Sequence, residues 1–516
     1  MMVTNKQSLS MLLAGMITDP SLLADLTATG LTLDSRQVQH GNLFISLSEN
    51  EDQRTLYIEQ ALTLGAIVIL FDASHVLSEQ EVVALARKNV EAYPIKKLAD
   101  KVGEIAARFY GHPSLAMTVI AVTGTNGKTS VSQFIAQSLE FLGLPCGVIG
   151  TLGIGRLNDL QSSGMTTPDP ISLQAALANF CQQTIKYVVI EASSHALEQG
   201  RLNSVDVDIA VLTNLSRDHL DYHQDMDSYA AAKQRLFDMA NLKTAVINSD
   251  DDFGMSLITR LAERNDVTVM SYSGQGKSVM TLKAQAIDAT SDGVNFELVS
   301  ESTSAQIHSS LLGRFNVDNL LATAASLLAI NIPFDDMKKA LAQCRSVEGR
   351  MQSYGGNHQA HLVIDFAHTP DALEQALKSL RVHLTNEGQL WCVFGCGGDR
   401  DIGKRAVMGQ IAEHYADKIV LTDDNPRSEM PAAIVRDILS GIKNQQKVHI
   451  EHDRKLAITY VITHAHESDM VLLAGKGHEQ YQEIAGVKLP FSDAEVVKQV
   501  LLVANDAIQS VQRSKL

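Results

Sequence analysis

The apolar run Val119-Ile120-Ala121-Val122 ends in Thr123-Gly124-Thr125-Asn126-Gly127-Lys128-Thr129-Ser130 and resumes as Val131-Ser132-Gln133-Phe134-Ile135-Ala136. Such a pattern predicts a strand, a tight loop and a helix, and it commits this part of the chain to an α/β fold built on a parallel sheet. The two glycines let the loop backbone turn so that its N–H groups and the following helix N-terminus face an anion. Lys128 adds a point charge there, and Thr129 a hydroxyl suited to Mg²⁺. The usual phosphate-loop spacing has a glycine where this chain has Val122, so the match is to a shortened variant, Thr-Gly-Thr-Asn-Gly-Lys-Thr. The bland alternative is a glycine turn with a solvated lysine. Gly, Gly, Lys and Thr falling together at a strand-to-helix junction favour a nucleotide.

A chain of 516 residues exceeds a single core, and at about 150 residues per domain it divides into three or four. The formal net charge of −16 argues against nucleic acid as a partner, because neutralising phosphates needs a basic face. Five scattered cysteines without a Cys-x-x-Cys pair fit a reducing compartment, with Cys392 and Cys396 expected in the core. No apolar run approaches the roughly 18 residues of a membrane span, so no membrane insertion is expected. The short run Met11–Ile17, followed by Asp19-Pro20, is a poor signal peptide. A cytoplasmic, monomeric protein is expected.

Residues 1–97 carry strand patterns at Leu43–Leu47 and Ala66–Phe71 around a helical stretch from Tyr57 to Leu64, which predicts a small α/β domain. A polar helix from Leu98 to Phe109 connects it to the phosphate-loop region, 98–346. There three further apolar runs break into polar residues: Tyr187–Ile190 into Glu191-Ala192-Ser193-Ser194-His195, Ile209–Leu212 into Thr213–His219, and Ala245–Ile247 into Asn248–Asp252. These are the marks of buried parallel strands, whose carboxyl ends are where ligands bind in open sheets. Val267–Glu301 reads as β-like patches, and Asn316–Ile330 as a helix. From 347 to 516 the pattern restarts, with runs at Leu362–Ile364, Leu390–Phe394, Lys418–Leu421 and Val471–Ala474 that each end in a polar cluster. Gly395-x-Gly397-Gly398 lacks the third glycine of a dinucleotide fingerprint, which argues against NAD.

A loop that holds ATP phosphates requires Mg²⁺. Glu191 and His219, at strand ends of the sheet that carries Thr129, are placed to complete hard-cation coordination. With them, Thr123–Thr129, Glu191-x-Ser193-Ser194-His195, Thr213–His223, Asp365-x-Ala367-His368-Thr369-Pro370-Asp371 and Asp424-Asn425-Pro426-Arg427 resemble the Mur ligases of peptidoglycan synthesis, from about Leu33 to Ser492. The resemblance implies three domains: one for a uridine nucleotide, a central P-loop ATPase with a parallel sheet, and a C-terminal Rossmann-like domain for an amino acid. It is nearest to those members that join meso-diaminopimelate to UDP-MurNAc-L-Ala-D-Glu through an acyl phosphate.

By that resemblance, Leu33 and Ser35 contact the uridine portion, and Thr166, Thr167, Ser193, Gln199 and Arg201 hold the sugar and peptide arm. Gly124, Thr125, Asn126, Gly127, Lys128 and Thr129 cradle ATP, helped by Asn316 and Arg350. Lys128, Glu191, His219 and Lys233 are catalytic. Thr129, Glu191, His219 and a carbamylated Lys233 surround the metal. Arg400, Asp424, Asn425, Pro426, Arg427, Gly475 and Glu479 receive diaminopimelate. Arg427, set in a rigid turn by Pro426, is expected to select the far carboxylate of diaminopimelate, since lysine would leave the guanidinium unpaired. Two alternatives stay open. A folylpolyglutamate synthetase shares the ATPase and C-terminal motifs, but the N-terminal Leu33-Asp34-Ser35-Arg36 region argues against it. A nucleotide-switched binding protein would not need Asp424–Arg427 or Glu479.

Overall fold

The computed structural model describes residues 6–17, 26–276, 281–290, 293–355, 359–384 and 387–502; the Asp19-Pro20 step lies outside them. It divides into two compact units, Met1–Tyr272 with Ala325–Ile332, and Ser273–Ala324 with Pro333–Leu516.

In the first unit, Gly30–Thr32, Asn42–Ser46, Val68–Asp72 and Glu91–Ile95 form a four-stranded parallel sheet in chain order. The helix Glu51–Leu64 starts where the Asn50 side chain accepts the Gln53 N–H, and it closes at Gly65 with φ +98°, a left-handed turn that suits glycine. The expected polar connector is an amphipathic helix, Leu98–Tyr110. Its Leu98, Val102, Ile105, Ala106 and Phe109 share one core with Leu43, Ile45, Val68 and Leu70. The three-and-four spacing of those residues makes the buried stripe.

The second sheet of this unit sets six parallel strands side by side: Cys146–Gly150, Tyr187–Glu191, Thr118–Thr123, Ile209–Leu212, Thr244–Asn248 and Thr268–Ser273. A hairpin, Gly153–Arg156 with Asp159–Gln161, folds antiparallel onto its edge. Val119, Ile120, Val188, Val189, Ala210 and Val211 are wholly buried, as expected of strands covered on both faces. Glu191 lies in register with Val122, and Leu212 with Thr123. Three neighbouring strands therefore release their polar residues at one level, with the phosphate-loop strand in the middle.

In the second unit, Leu282–Thr290, Gly293–Ser300 and Ser304–Ser309 form an antiparallel meander. The helix Phe315–Ala329 follows it in the chain. The four strands expected beyond 347 lie adjacent and parallel, as His361–Asp365, Met470–Ala474, Leu390–Phe394 and Lys418–Leu421. Val448–Ile450 extends the sheet in parallel on one side, and Gln352–Gly355 antiparallel on the other. Cys392 and Cys396 pack in its core, and all five cysteines are free thiols.

One buried histidine ties this unit together. The Gly313 N–H donates to His383 Nε2 at 2.8 Å, so Nδ1 carries the proton and donates to the Thr290 carbonyl at 2.5 Å. Burial holds the ring below its ordinary pKa of 6.5, because the imidazolium would lose water and face a donor. With a depressed folded-state pKa, the neutral ring's contribution to stability is complete above about pH 6.5 and declines as pH falls toward the lowered value. His383→Leu is expected to cost about 2 kcal/mol at pH 7.5 through the two lost hydrogen bonds. Its melting temperature should also fall less steeply between pH 6.5 and 5 than that of the parent. Parallel pH profiles would contradict this.

Candidate active site

The phosphate loop is shaped by its neighbours. Gly124 lies so close to Thr213 that a Cβ there would sit 1.9 Å from the Thr213 hydroxyl, and Gly127 takes φ +85° where the helix Lys128–Phe141 begins. The Thr125 N–H donates to the Asn214 carbonyl at 2.8 Å, and the Asn126 N–H to the Asn214 side chain at 3.0 Å. The Lys128 ammonium bonds the Gly124 and Thr125 carbonyls at 2.9 and 2.8 Å.

Glu191 is wholly buried. One of its oxygens accepts the Thr129 and Thr151 hydroxyls at 2.9 and 3.0 Å, and the other the Thr151 N–H at 3.0 Å. Gly150 makes room for it, since a Cβ there would lie 2.1 Å from the carboxylate. Among the described residues no cationic side chain forms an ion pair with it. A buried carboxylate held only by neutral donors, beside a threonine hydroxyl on a phosphate loop, is a hard-oxygen set that fits a divalent cation.

The chain of contacts continues outward from Glu191. The Thr151 and Thr166 hydroxyls lie 3.2 Å apart, and the Thr167 hydroxyl donates to the Glu191 carbonyl at 2.6 Å and lies 3.3 Å from Ser193 Oγ. Arg201 donates to the Thr167 carbonyl at 2.7 Å and grips Gln199 Oε1 with Nε and Nη2 at 3.0 and 2.7 Å. Gln199 in turn donates to the Tyr222 hydroxyl at 3.0 Å. Thr129, Glu191, Thr166, Thr167, Ser193, Gln199 and Arg201, seven residues named from sequence, thus belong to one connected network.

On the other side of the loop, Lys233 is buried, with Nζ 2.8 Å from the Gly124 carbonyl and 4.3 Å from the centre of the Tyr229 ring. Burial first, then the Lys128 charge, pushes its pKa well below the usual lysine value. The Tyr229 hydroxyl, raised to about 12 by burial, shares a hydrogen bond with Thr125 Oγ1 at 3.2 Å. His219 takes a left-handed φ of +53°. Its pKa is lowered by burial and by the positive groups around it, against the pull of Asp218. Its ring meets His195 edge-on at 5.1 Å, and His195 also packs on Tyr222 at 4.0 Å and His223 at 5.3 Å.

Ser35, far from this cluster in the chain, is buried with its hydroxyl donating to Gln60 at 2.8 Å, and Leu33 packs at the margin of the N-terminal core.

The second unit carries its own polar rim. Asn425 lies at its centre, accepting from Lys476 Nζ at 3.1 Å and from the Glu483 N–H at 2.9 Å, and donating to Glu479 at 2.9 Å. Lys476 is fully buried and also pairs with Glu479 at 3.0 Å and Asp424 at 3.6 Å. Burial raises the Asp424 pKa, opposed by Arg454 and Lys476. Gly475, φ +112°, leaves space for the Asp424 carboxylate. Arg427, φ +52° after Pro426, donates to the Gly398 carbonyl at 2.7 Å and to Glu483 at 3.2 Å. Arg400 is exposed on the adjoining loop, which Asp399 and Ser428 clamp at 2.7 Å.

Arg350 lies over Phe366 at 4.8 Å. Asn316 is buried, with its amide bonded to the Leu312 carbonyl at 2.7 Å and to Asn319 at 2.9 Å.

Sequence reasoning missed Thr151, Tyr222, Tyr229, Lys476 and Glu483. Thr151 had a signal, since it follows an apolar run, but Gly147 and Gly150 interrupt that run. Lys476 stands inside the already noted Gly475-Lys476-Gly477.

Comparison with known proteins bears on the family. Residues 122–327 match the Mur ligase middle domain and residues 349–477 the Mur ligase glutamate ligase domain. The chain is 45% identical over 484 residues, 93% of its length and 97% of the relative, to the "UDP-N-acetylmuramoyl-L-alanyl-D-glutamate--2,6-diaminopimelate ligase" of Coxiella burnetii. The protein of the same description from Pseudomonas aeruginosa is 45% identical over 482 residues, 93% of this chain and 96% of that one. A solved structure of a ligase so described superposes with a TM-score of 0.73 at 37% identity, covering 97% of this chain and 99% of that chain. Matched over both of those segments and alike over most of its length to proteins so described, this chain belongs to the Mur ligases.

Proposed function

We propose that this chain is an ATP-dependent amide ligase that adds meso-diaminopimelate to UDP-N-acetylmuramoyl-L-alanyl-D-glutamate in peptidoglycan precursor synthesis, working in the cytoplasm as a monomer. The observation that carries it is the unbroken hydrogen-bond path from Thr129 through Glu191 to Thr166, Thr167, Ser193, Arg201 and Gln199. A phosphate-transfer loop and a polar arm for a second substrate are parts of one site. Residues 1–97 take the uridine nucleotide with Leu33 and Ser35, residues 98–346 bind ATP, and residues 347–516 bind the amino acid.

A carboxylate is a poor electrophile because oxide is a poor leaving group. One D-glutamate carboxylate oxygen attacks the γ-phosphorus of ATP, the bond to the bridging oxygen breaks, and ADP leaves. The diaminopimelate amine, having lost a proton, then attacks the acyl carbon; phosphate leaves, the nitrogen gives up a further proton, and the amide remains. The loop N–H groups and Lys128 stabilise charge on the transferring phosphoryl group. Arg201 and Gln199 fix the peptide arm. Mg²⁺ would be held by Thr129, Glu191, His219 and a carbamylated Lys233, and when bound it neutralises phosphate charge. The lowered pKa of Lys233 supports the modification, because only a neutral amine adds CO₂ and here the ammonium is disfavoured. On the second rim, Arg400 and Arg427 suit carboxylates, while Asp424 and Glu479 suit an ammonium, as a molecule zwitterionic at each end requires.

The test is a panel of amino acids incubated with ATP and the uridine-linked dipeptide, read by mass spectrometry. The expected result is a product heavier by one diaminopimelate residue, with one ADP released per product. Product with no amino acid of the panel, or glutamate added to folate instead, would overturn the assignment.

A further inference from the structure

The guanidinium of Arg427 is not open. Its Nε faces the Glu483 carboxylate at 3.2 Å and its Nη1 the Gly398 carbonyl at 2.7 Å. Both charged side chains are mostly covered, with 22% and 23% of their surface exposed. The pairing is built by the backbone. The Arg427 N–H donates to the Glu483 carbonyl at 3.0 Å, the Ala485 N–H to the Arg427 carbonyl at 2.7 Å, and the Glu483 N–H to Asn425 at 2.9 Å. These bonds seat the strand Tyr481–Ile484 of an exposed hairpin along the Asn425–Arg427 loop. Glu483 thus takes the side-on edge of a planar fork that otherwise holds a carboxylate with two parallel hydrogen bonds.

We propose that Glu483 is a resident counter-ion of Arg427 that the far carboxylate of diaminopimelate displaces, and that it thereby sets how strongly the site distinguishes diaminopimelate from lysine. The proposal rests on the function proposed above. In the empty site Glu483 satisfies the arginine, so a bound lysine leaves no unpaired guanidinium. What diaminopimelate gains is the exchange of one carboxylate for another, a smaller quantity than the pairing of a bare arginine. Substituting Glu483 by a neutral isostere removes the competitor but keeps the backbone seat, and so should favour only the ligand that brings its own carboxylate.

The experiment measures KM and kcat for diaminopimelate and for lysine in the full-length parent, Glu483→Gln and Glu483→Asp, with melting temperatures as a check on folding. In Glu483→Gln the KM for diaminopimelate is expected to fall about fivefold, the scale of one partly exposed ion pair. The KM for lysine should stay or rise, and Glu483→Asp should lie between. A purely structural role for Glu483 would shift both amino acids together. An unchanged or raised KM for diaminopimelate in Glu483→Gln, or an equal fall for lysine, would overturn the proposal. Absence of diaminopimelate turnover in the parent would instead overturn the proposed function, so the two failures are distinguishable.

Discussion

Replacing Lys233 by alanine is expected to lower kcat by at least about a hundredfold, the scale of losing one group that stabilises charge in a transition state. The side chain is buried beside the phosphate loop, its amine bonded to the Gly124 carbonyl and its pKa depressed by burial and by Lys128. In the proposed site, an ammonium there would add a second positive charge next to the cation. A carbamate reverses the sign: the amine forms a bond to CO₂ carbon, a proton leaves, and a carboxylate-like ligand results. Intact-mass measurement in bicarbonate buffer should therefore show one added CO₂ in the parent and none in Lys233→Ala. Full activity of Lys233→Ala would remove the modification from the mechanism.

Arg427→Ala should raise the KM for diaminopimelate by about a hundredfold or more, because it leaves charge unpaired in a covered site. Two effects add. The substrate's far carboxylate loses its partner, and Glu483, previously neutralised at 3.2 Å, now faces that carboxylate with like charge. Lysine, which brings no second carboxylate, should suffer less. Adding Glu483→Gln to Arg427→Ala should recover part of the loss, a coupling that a double-mutant cycle reads directly. Initial-rate kinetics with both amino acids provide the measurement, and an Arg427→Ala enzyme that keeps its diaminopimelate KM would place the selectivity elsewhere on the rim.

How much was legible in the sequence follows from how local each signal is. The phosphate loop and the strand ends at Glu191 and Thr213 could be read because a buried parallel strand followed by a polar break is a pattern of fewer than ten residues. The Cys146–Gly150 strand was obscured by Gly147 and Gly150, whose missing side chains admit Phe180 and the Glu191 carboxylate. Arg454 and Asp493 form a fully buried ion pair at 2.7 Å that anchors the Ala474 carbonyl. They are separated by 39 residues, and nothing in either neighbourhood announces the other. Glu483 lies on a short hairpin whose strands are half exposed or fully exposed, so no periodicity marks it. The sequence alone therefore offered Arg427 no partner within the protein, whereas in the structure one is supplied by a segment 56 residues away.

In the proposed mechanism, activation of the carboxylate by phosphate is the central step, and the carboxylate's oxygen atoms would record it. With the uridine-linked dipeptide doubly labelled with heavy oxygen in the D-glutamate carboxylate that becomes the amide, mass spectrometry of both products after one turnover should find one label in the released phosphate and one in the amide. Unlabelled phosphate formed alongside the amide would contradict an acyl phosphate and with it the mechanism.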